Sequence, residues 1–166
     1  TSTFKTGPSA DHNIVFQTGE IDIADNKNLT INAGNGDVTL VNIHGDGTNS
    51  TSTSTLDIDG ATVTVKEIGN SGVKDEIGAV TIDGTVKVQL NGAIYTGGAS
   101  NTVTITGPTE LATGTILIDT TDGNGAVTID GAVDGARDLD IVAGTGLVKI
   151  TGNIGTNAAL LSLDLN

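Results

Sequence analysis

The chain repeats one short alternation of apolar and polar positions. Val127-Thr128-Ile129-Asp130-Gly131 is its clearest copy. Leu56-Asp57-Ile58-Asp59-Gly60, Val80-Thr81-Ile82-Asp83-Gly84, Val103-Thr104-Ile105-Thr106-Gly107 and Val148-Lys149-Ile150-Thr151-Gly152 follow the same pattern. Their glycines are 24, 23, 24 and 21 residues apart. Looser copies precede them at Val38-Thr39-Leu40 and, 24 residues earlier, at Ile14-Val15-Phe16. Alternation at period two predicts strands with one buried face. Val127 and Ile129 point inward, Thr128 and Asp130 outward.

A five-residue strand cannot bury its apolar face alone. A near-constant period in the low twenties predicts one supersecondary unit per repeat, stacked on the next. The predicted fold is therefore all-β: a parallel β-solenoid of about seven coils of 21–25 residues. A β-sandwich also alternates, but gives no reason for one pattern at nearly constant spacing. Glycine at the fifth position predicts a corner where the strand bends, with φ > 0 available to it.

Taken in order, residues 1–12 show no periodicity and read as an N-terminal tail or cap, with Phe4 as a candidate anchor and His12 at the surface. Residues 13–166 read as one solenoid domain. Residues 28–40 match residues 138–150, 110 positions on: Leu29, Ile31, Ala33, Gly34, Gly36 and Val38 stand against Leu139, Ile141, Ala143, Gly144, Gly146 and Val148. That is a strand, a Gly-x-Gly corner and a strand, used twice. The run 44–55 is polar and of low complexity, and reads as a loop extruded from a corner. The register around it is open: the coil that starts at Val38 continues at Leu56, a step of 18, or at Val63, a step of 25. Tyr95 reads as an edge anchor. Pro108 cannot donate to a ladder and belongs at a corner. The chain ends in a strand pattern, Leu161, Leu163 and Leu165, with no polar cap. This predicts that the last coil is covered by further repeats or by another copy of the chain.

Composition narrows the partners. Among 166 residues there are 24 Gly, two Phe, one Tyr, and no Trp, Met or Cys. The core must therefore be Val, Ile, Leu and Ala, as a narrow interior requires. Disulfides and thiolate metal sites are excluded. The net charge is −13, with 20 acidic against 7 basic residues. That speaks against nucleic acid and anionic membrane surfaces as partners. No run of about 18 apolar residues predicts a spanning helix. An acidic, Thr/Asn/Gly-rich, cysteine-free chain leans towards export.

The stretches 103–112, 123–146 and 148–155 resemble the repeats of giant secreted bacterial β-solenoid proteins, the filamentous-haemagglutinin-like adhesins and autotransporter passengers. Val103-Thr104-Ile105-Thr106-Gly107-Pro108 and Asp130-Gly131-Ala132-Val133-Asp134-Gly135 are typical of them. The resemblance covers roughly residues 28–43 and 78–166 and is one of repeat style. It implies a right-handed β-helix, an extracellular or cell-surface location and a structural or adhesive role. No segment resembles that family's secretion domain.

Candidate chemistry is sparse. Thr39, Thr81, Thr104 and Thr128 read as one outward ladder, interrupted by Asp57 and Lys149. Asp59, Asp83 and Asp130 read as an acidic ladder with Thr106 and Thr151. Such a face suits ice or another flat surface, or a glycan. Ca2+ prefers oxygen ligands, and Asp119, Asp122 and Asn124 at one corner, with Asp46 in the long loop, are candidate ligands. No cofactor is required, and neither an EF-hand loop nor a glycine-rich nonapeptide array is present. Polysaccharide-degrading β-helices need clustered carboxylates or carboxylates with a base. Here Arg137 is the only arginine and the acids are dispersed. The expectation is a non-enzymatic homopolymer that joins through its coil ends at Leu161, Leu163 and Leu165, with a glycan or host surface as a further partner.

Overall fold

A computed structural model describes residues 1–6, 12–46, 53–71, 76–98 and 101–166. The described residues are strand, turn and bend; none is helical. The first coil holds β1 (Ser2–Lys5), β2 (Ile14–Val15) and β3 (Glu20–Ile23). The second holds β4 (Asn28–Asn32), β5 (Val38–Thr39) and β6 (Asn42–Gly45). Two long strands follow, β7 (Thr55–Val65) and β8 (Ala79–Leu90), then β9 (Ile94–Tyr95). The fifth coil is β10 (Thr102–Thr106), β11 (Thr109–Leu111) and β12 (Thr115–Asp119). The sixth is β13 (Val127–Asp130), β14 (Val133–Asp134) and β15 (Asp138–Val142). The last holds β16 (Val148–Ile150) and β17 (Ser162–Leu165).

All pairings are parallel, and the chain is a β-solenoid. Seven rungs stack in the order β1-β4-β7-β8-β10-β13-β16, joined by about six turns of chain. At about 4.8 Å per rung the stack spans roughly 29 Å. Three columns of inward side chains define three faces. Phe4, Ile31, Ile58, Ile82, Ile105, Ile129 and Ile150 form the first. Ile14, Val38, Val63, Val88, Thr109, Val133 and Ile154 form the second. Ile21, Ile43, Ile68, Ile94, Ile118, Ile141 and Leu165 form the third. From Ile31 to Ile141 the aliphatic members of these columns are essentially inaccessible. β7 and β8 carry the first face into the second without a break.

The alternation on the first face is as expected, and Leu56, Val80, Val103, Val127 and Val148 share a column. The register left open after Val38 is the 25-residue step: Val38 pairs with Val63, and Leu29 is the residue beneath Leu56. Residues 1–12, read as a tail or cap, include the first rung: β1 pairs with β4, placing Phe4 on Ile31. Four residues are too few to show a period. His44 and Gly45, read as the start of a loop, belong to β6, and Thr55 opens β7; residues 47–52 of that loop lie outside the described residues. The steps between rungs also run wider than 21–25 residues, reaching 27 between Leu29 and Leu56.

The corner glycines have a reason beyond conformational freedom. A Cβ on Gly107 would stand 2.0 Å from the Gly84 carbonyl oxygen, and one on Gly131 2.2 Å from that of Gly107. Gly107 and Gly131 also have φ of 109° and 155°. At Gly84 no such φ arises, yet a Cβ would lie 2.5 Å from the Lys87 carbonyl oxygen. Close backbone approach is the common requirement.

Candidate functional site: side-chain columns and open coil ends

The outward side chains inherit the register of the inward ones. Thr3, Thr30, Asp57, Thr81, Thr104, Thr128 and Lys149 form one column. Thr81, Thr104 and Thr128 are thus brought together. Thr39 is not among them. It lies on the second face, paired with Thr64 and Val15, because the 25-residue step moves Val38 off the first face. Thr30 takes its place.

The neighbouring column is Lys5, Asn32, Asp59, Asp83, Thr106 and Asp130, with Thr151 at its end. Asp59 and Asp83 sit one rung apart. Burial, with the charges of Asp83 and Asp57, raises the Asp59 carboxyl above its ordinary value; the hydrogen bond from Asn32 acts the other way. Asn32 Nδ2 donates to Asp59 Oδ2 at 2.7 Å. Thr151 Oγ1 donates to Asp130 Oδ1 at 2.6 Å. Hydroxyl and amide neighbours thus relieve part of the repulsion that a pure acid column carries.

The candidate Ca2+ ligands divide. Asp119 Oδ1 accepts from Thr121 N at 2.9 Å and from Thr121 Oγ1 at 2.7 Å. Asn124, at φ 55°, accepts from Thr145 N at 3.0 Å. Asp122 is exposed on the same corner. Asp46 lies three coils away, where its Oδ2 accepts from Asp25 N at 3.3 Å. Among the described residues no three His, Asp or Glu side chains stand close enough to share an ion. Next to that corner, Ser71, Glu76, Tyr95, Thr96, Asp119, Thr121 and Asp122 line a small cleft. Glu76 and Thr96 are buried there.

Two polar devices escaped the sequence reading. His44 is buried on the third face between carboxylates of the coils on either side. Its Nδ1 is joined to Glu20 Oε1, and its Nε2 lies 3.6 Å from Glu67 Oε1. The signal was present, since Glu20 and Glu67 stand 24 and 23 residues from His44, one coil each way. Asn101 is buried at a corner, where its Nδ2 donates to Thr120 O at 2.7 Å and to Thr96 O at 3.3 Å.

The ends of the stack complete the inventory. Among the described residues β16 pairs with β13 alone and β17 with β15 alone. Leu163 stacks on Leu139 and Leu165 on Ile141, so both extend interior columns into the open. Leu161 precedes β17 and is the most exposed of the three. Asp134 fastens the segment between β16 and β17. Its carboxylate accepts from Asn157 N at 2.8 Å, Asn157 Nδ2 at 2.9 Å and Ala158 N at 3.3 Å. Those bonds, the backbone one from Asn157 first, hold the carboxyl below its ordinary value. At the other end, among the described residues, β1, β2 and β3 pair with β4, β5 and β6. Phe4 and Phe16 meet there edge to face, centroids 5.6 Å apart.

No family model matches the chain, and no curated protein or solved structure matches it.

Proposed function

We propose that this chain is a non-enzymatic structural β-solenoid of the cell surface that associates end to end, as a filament or as part of a longer adhesive stalk. The observation that carries this reading is the regular parallel stack, in which seven rungs pair one on the next around continuous apolar columns. Parallel strand edges with apolar side chains favour strand addition. The acidic surface and the repeat style support export. Electron microscopy of the purified chain, with and without Ca2+, tests the reading. Filaments are expected; dispersed single rods at every concentration and in both conditions would count against end-to-end association. A requirement for Ca2+ would make ligands of the acidic corners.

The cleft beside Tyr95 favours a second reading, a glycan-binding module. An aromatic ring beside carboxylates and hydroxyls suits a polyhydroxylated ligand. Binding to a glycan array that survives Tyr95→Ala unchanged would remove it.

A further inference from the structure

We infer that Asn91 is a self-modifying site. Its side-chain amide is attacked by the backbone nitrogen of Gly92, and the fold directs this reaction to Asn91 ahead of the chain's other Asn-Gly pairs.

Asn-Gly is the dipeptide in which such an attack is least hindered, because glycine puts no Cβ beside the nitrogen. The chain holds three of these pairs: Asn35-Gly36, Asn91-Gly92 and Asn124-Gly125. The structure separates them. Gly36 N donates to Ala33 O at 3.0 Å, and Gly125 N donates to Thr120 O at 3.1 Å. Asn124 Oδ1 also accepts from Thr145 N at 3.0 Å. Both of those glycine nitrogens are held in closed turns, and the turn must open before either can attack. At the corner between β8 and β9 the arrangement differs. Among the described residues neither Gly92 N nor the side-chain amide of Asn91 has a hydrogen-bond partner. Both residues are partly exposed, so water reaches them.

The chemistry balances with water as the only co-reactant. Gly92 N gives up its proton and forms a bond to Asn91 Cγ. The Cγ–Nδ2 bond breaks, and ammonia leaves with that proton. The cyclic imide that results is opened by solvent water at either carbonyl. One opening gives aspartate; the other gives isoaspartate, with the main chain rerouted through Cβ and Cγ. Because the nitrogen must lose its proton, the rate rises with pH.

The product would disturb a crowded corner. Asn91 N donates to Val65 O at 2.9 Å, and Asn91 O accepts from Thr113 Oγ1 at 2.8 Å, so this residue ties the coils on either side. A Cβ on Gly92 would stand 2.8 Å from Glu67 N and 2.9 Å from the Lys66 carbonyl carbon. Isoaspartate lengthens the main chain at that contact and adds a negative charge to a chain already at −13. The neighbouring bond from Ile68 N to Ala93 O, 2.9 Å long, is the first to loosen.

The test ages the folded full-length chain in neutral and mildly alkaline buffer and maps aspartate and isoaspartate by peptide mass spectrometry. Asn91 should convert roughly tenfold faster than Asn35 or Asn124, the rate counterpart of one hydrogen bond. In urea the three should convert at similar rates. Asn35 or Asn124 keeping pace with Asn91 in the folded chain overturns the proposal. So does the same ranking in urea, which would assign the preference to local sequence, or an intact Asn91 once the unfolded chain has reacted. Asn91→Asp supplies the charge without the rerouted main chain. Amide exchange at Ile68 should be unchanged in that variant and faster in the aged protein; equal acceleration in both overturns the account of the corner.

Discussion

The two ends of this solenoid are made differently. At the N-terminal end the chain spends its only two phenylalanines on an edge-to-face pair over the first rung. Beside them, Glu20, His44 and Glu67 connect three successive coils. At the C-terminal end the covering is aliphatic, Ile150, Ile154, Leu163 and Leu165, and one carboxylate, Asp134, secures the last excursion. Between them the coils are near copies of one another. The interior of a solenoid needs only fit, and repetition supplies it. The first and last coils depart from that copying, and each carries contacts of its own.

Truncations at three positions, one on each face, set the middle against the first and last coils. Ile82→Ala, in the inaccessible middle of the first face, should cost about 2–5 kcal/mol in urea-monitored unfolding. Phe16→Ala should cost less, about 1–2 kcal/mol, from half a buried ring and one aromatic pair. Leu163→Ala, 40% exposed, should cost the least in the monomer and show itself mainly in assembly. Equal costs at all three positions would contradict the distinction between a packed middle and open ends.

The C-terminal fastening should respond to acid. The Asp134 carboxyl sits below its ordinary value when folded, so it binds protons less readily there than in the unfolded chain. Its stabilisation is therefore present above the unfolded value of about 3.8 and is lost as pH falls through the lower folded value. Asp134→Asn should speed amide exchange at Asn157 and Ala158 near neutral pH, and the acid dependence of that segment should disappear with it. Amide protection that is unchanged would mean that the loop is held by other groups.

The smallest effect is expected in the regular middle. Asp59 is raised above its ordinary value, so folding favours its protonated form. Any contribution is present below the unfolded value of about 3.8 and is lost as pH rises through the folded value. At neutral pH the charge is a mild burden, and Asp59→Asn should leave stability equal or slightly higher. A clear loss would mean that the Asn32 hydrogen bond outweighs the repulsion from Asp83.

The residues most legible in the sequence were those whose role repeats. The first-face alternation and the corner glycines could be read because five coils state them. The single-use elements were harder to read: β1 is too short to carry a period, and the His44 arrangement shows only once the coil period is applied to three residues no closer than 23 positions in sequence. The match between residues 28–40 and 138–150 teaches something else. Leu29 lies on the first face and Leu139 on the third, so the matching segments occupy different corners. Their turns are the same, with Gly34 and Gly144 both at φ 60° and closing bonds from Gly36 N to Ala33 O at 3.0 Å and from Gly146 N to Ala143 O at 2.9 Å. The similarity recorded a corner and not a position in the coil, and that is why assigning Val38 to the first face, and Thr39 to its ladder, failed.

The close contacts at the glycine corners have a consequence for how such a chain lengthens. The Gly84 carbonyl occupies the space that a side chain on Gly107 would need, and the Gly107 carbonyl does the same to Gly131. Each coil thus offers its successor the same relief that it demands of its predecessor. A duplicated stretch of one coil brings both halves of the joint with it and can be spliced in without redesign. Drift at a single glycine, by contrast, is felt across a boundary and must be answered in the adjacent copy. Growth by whole units is easy for this architecture, and divergence within a unit is slow where the backbones touch.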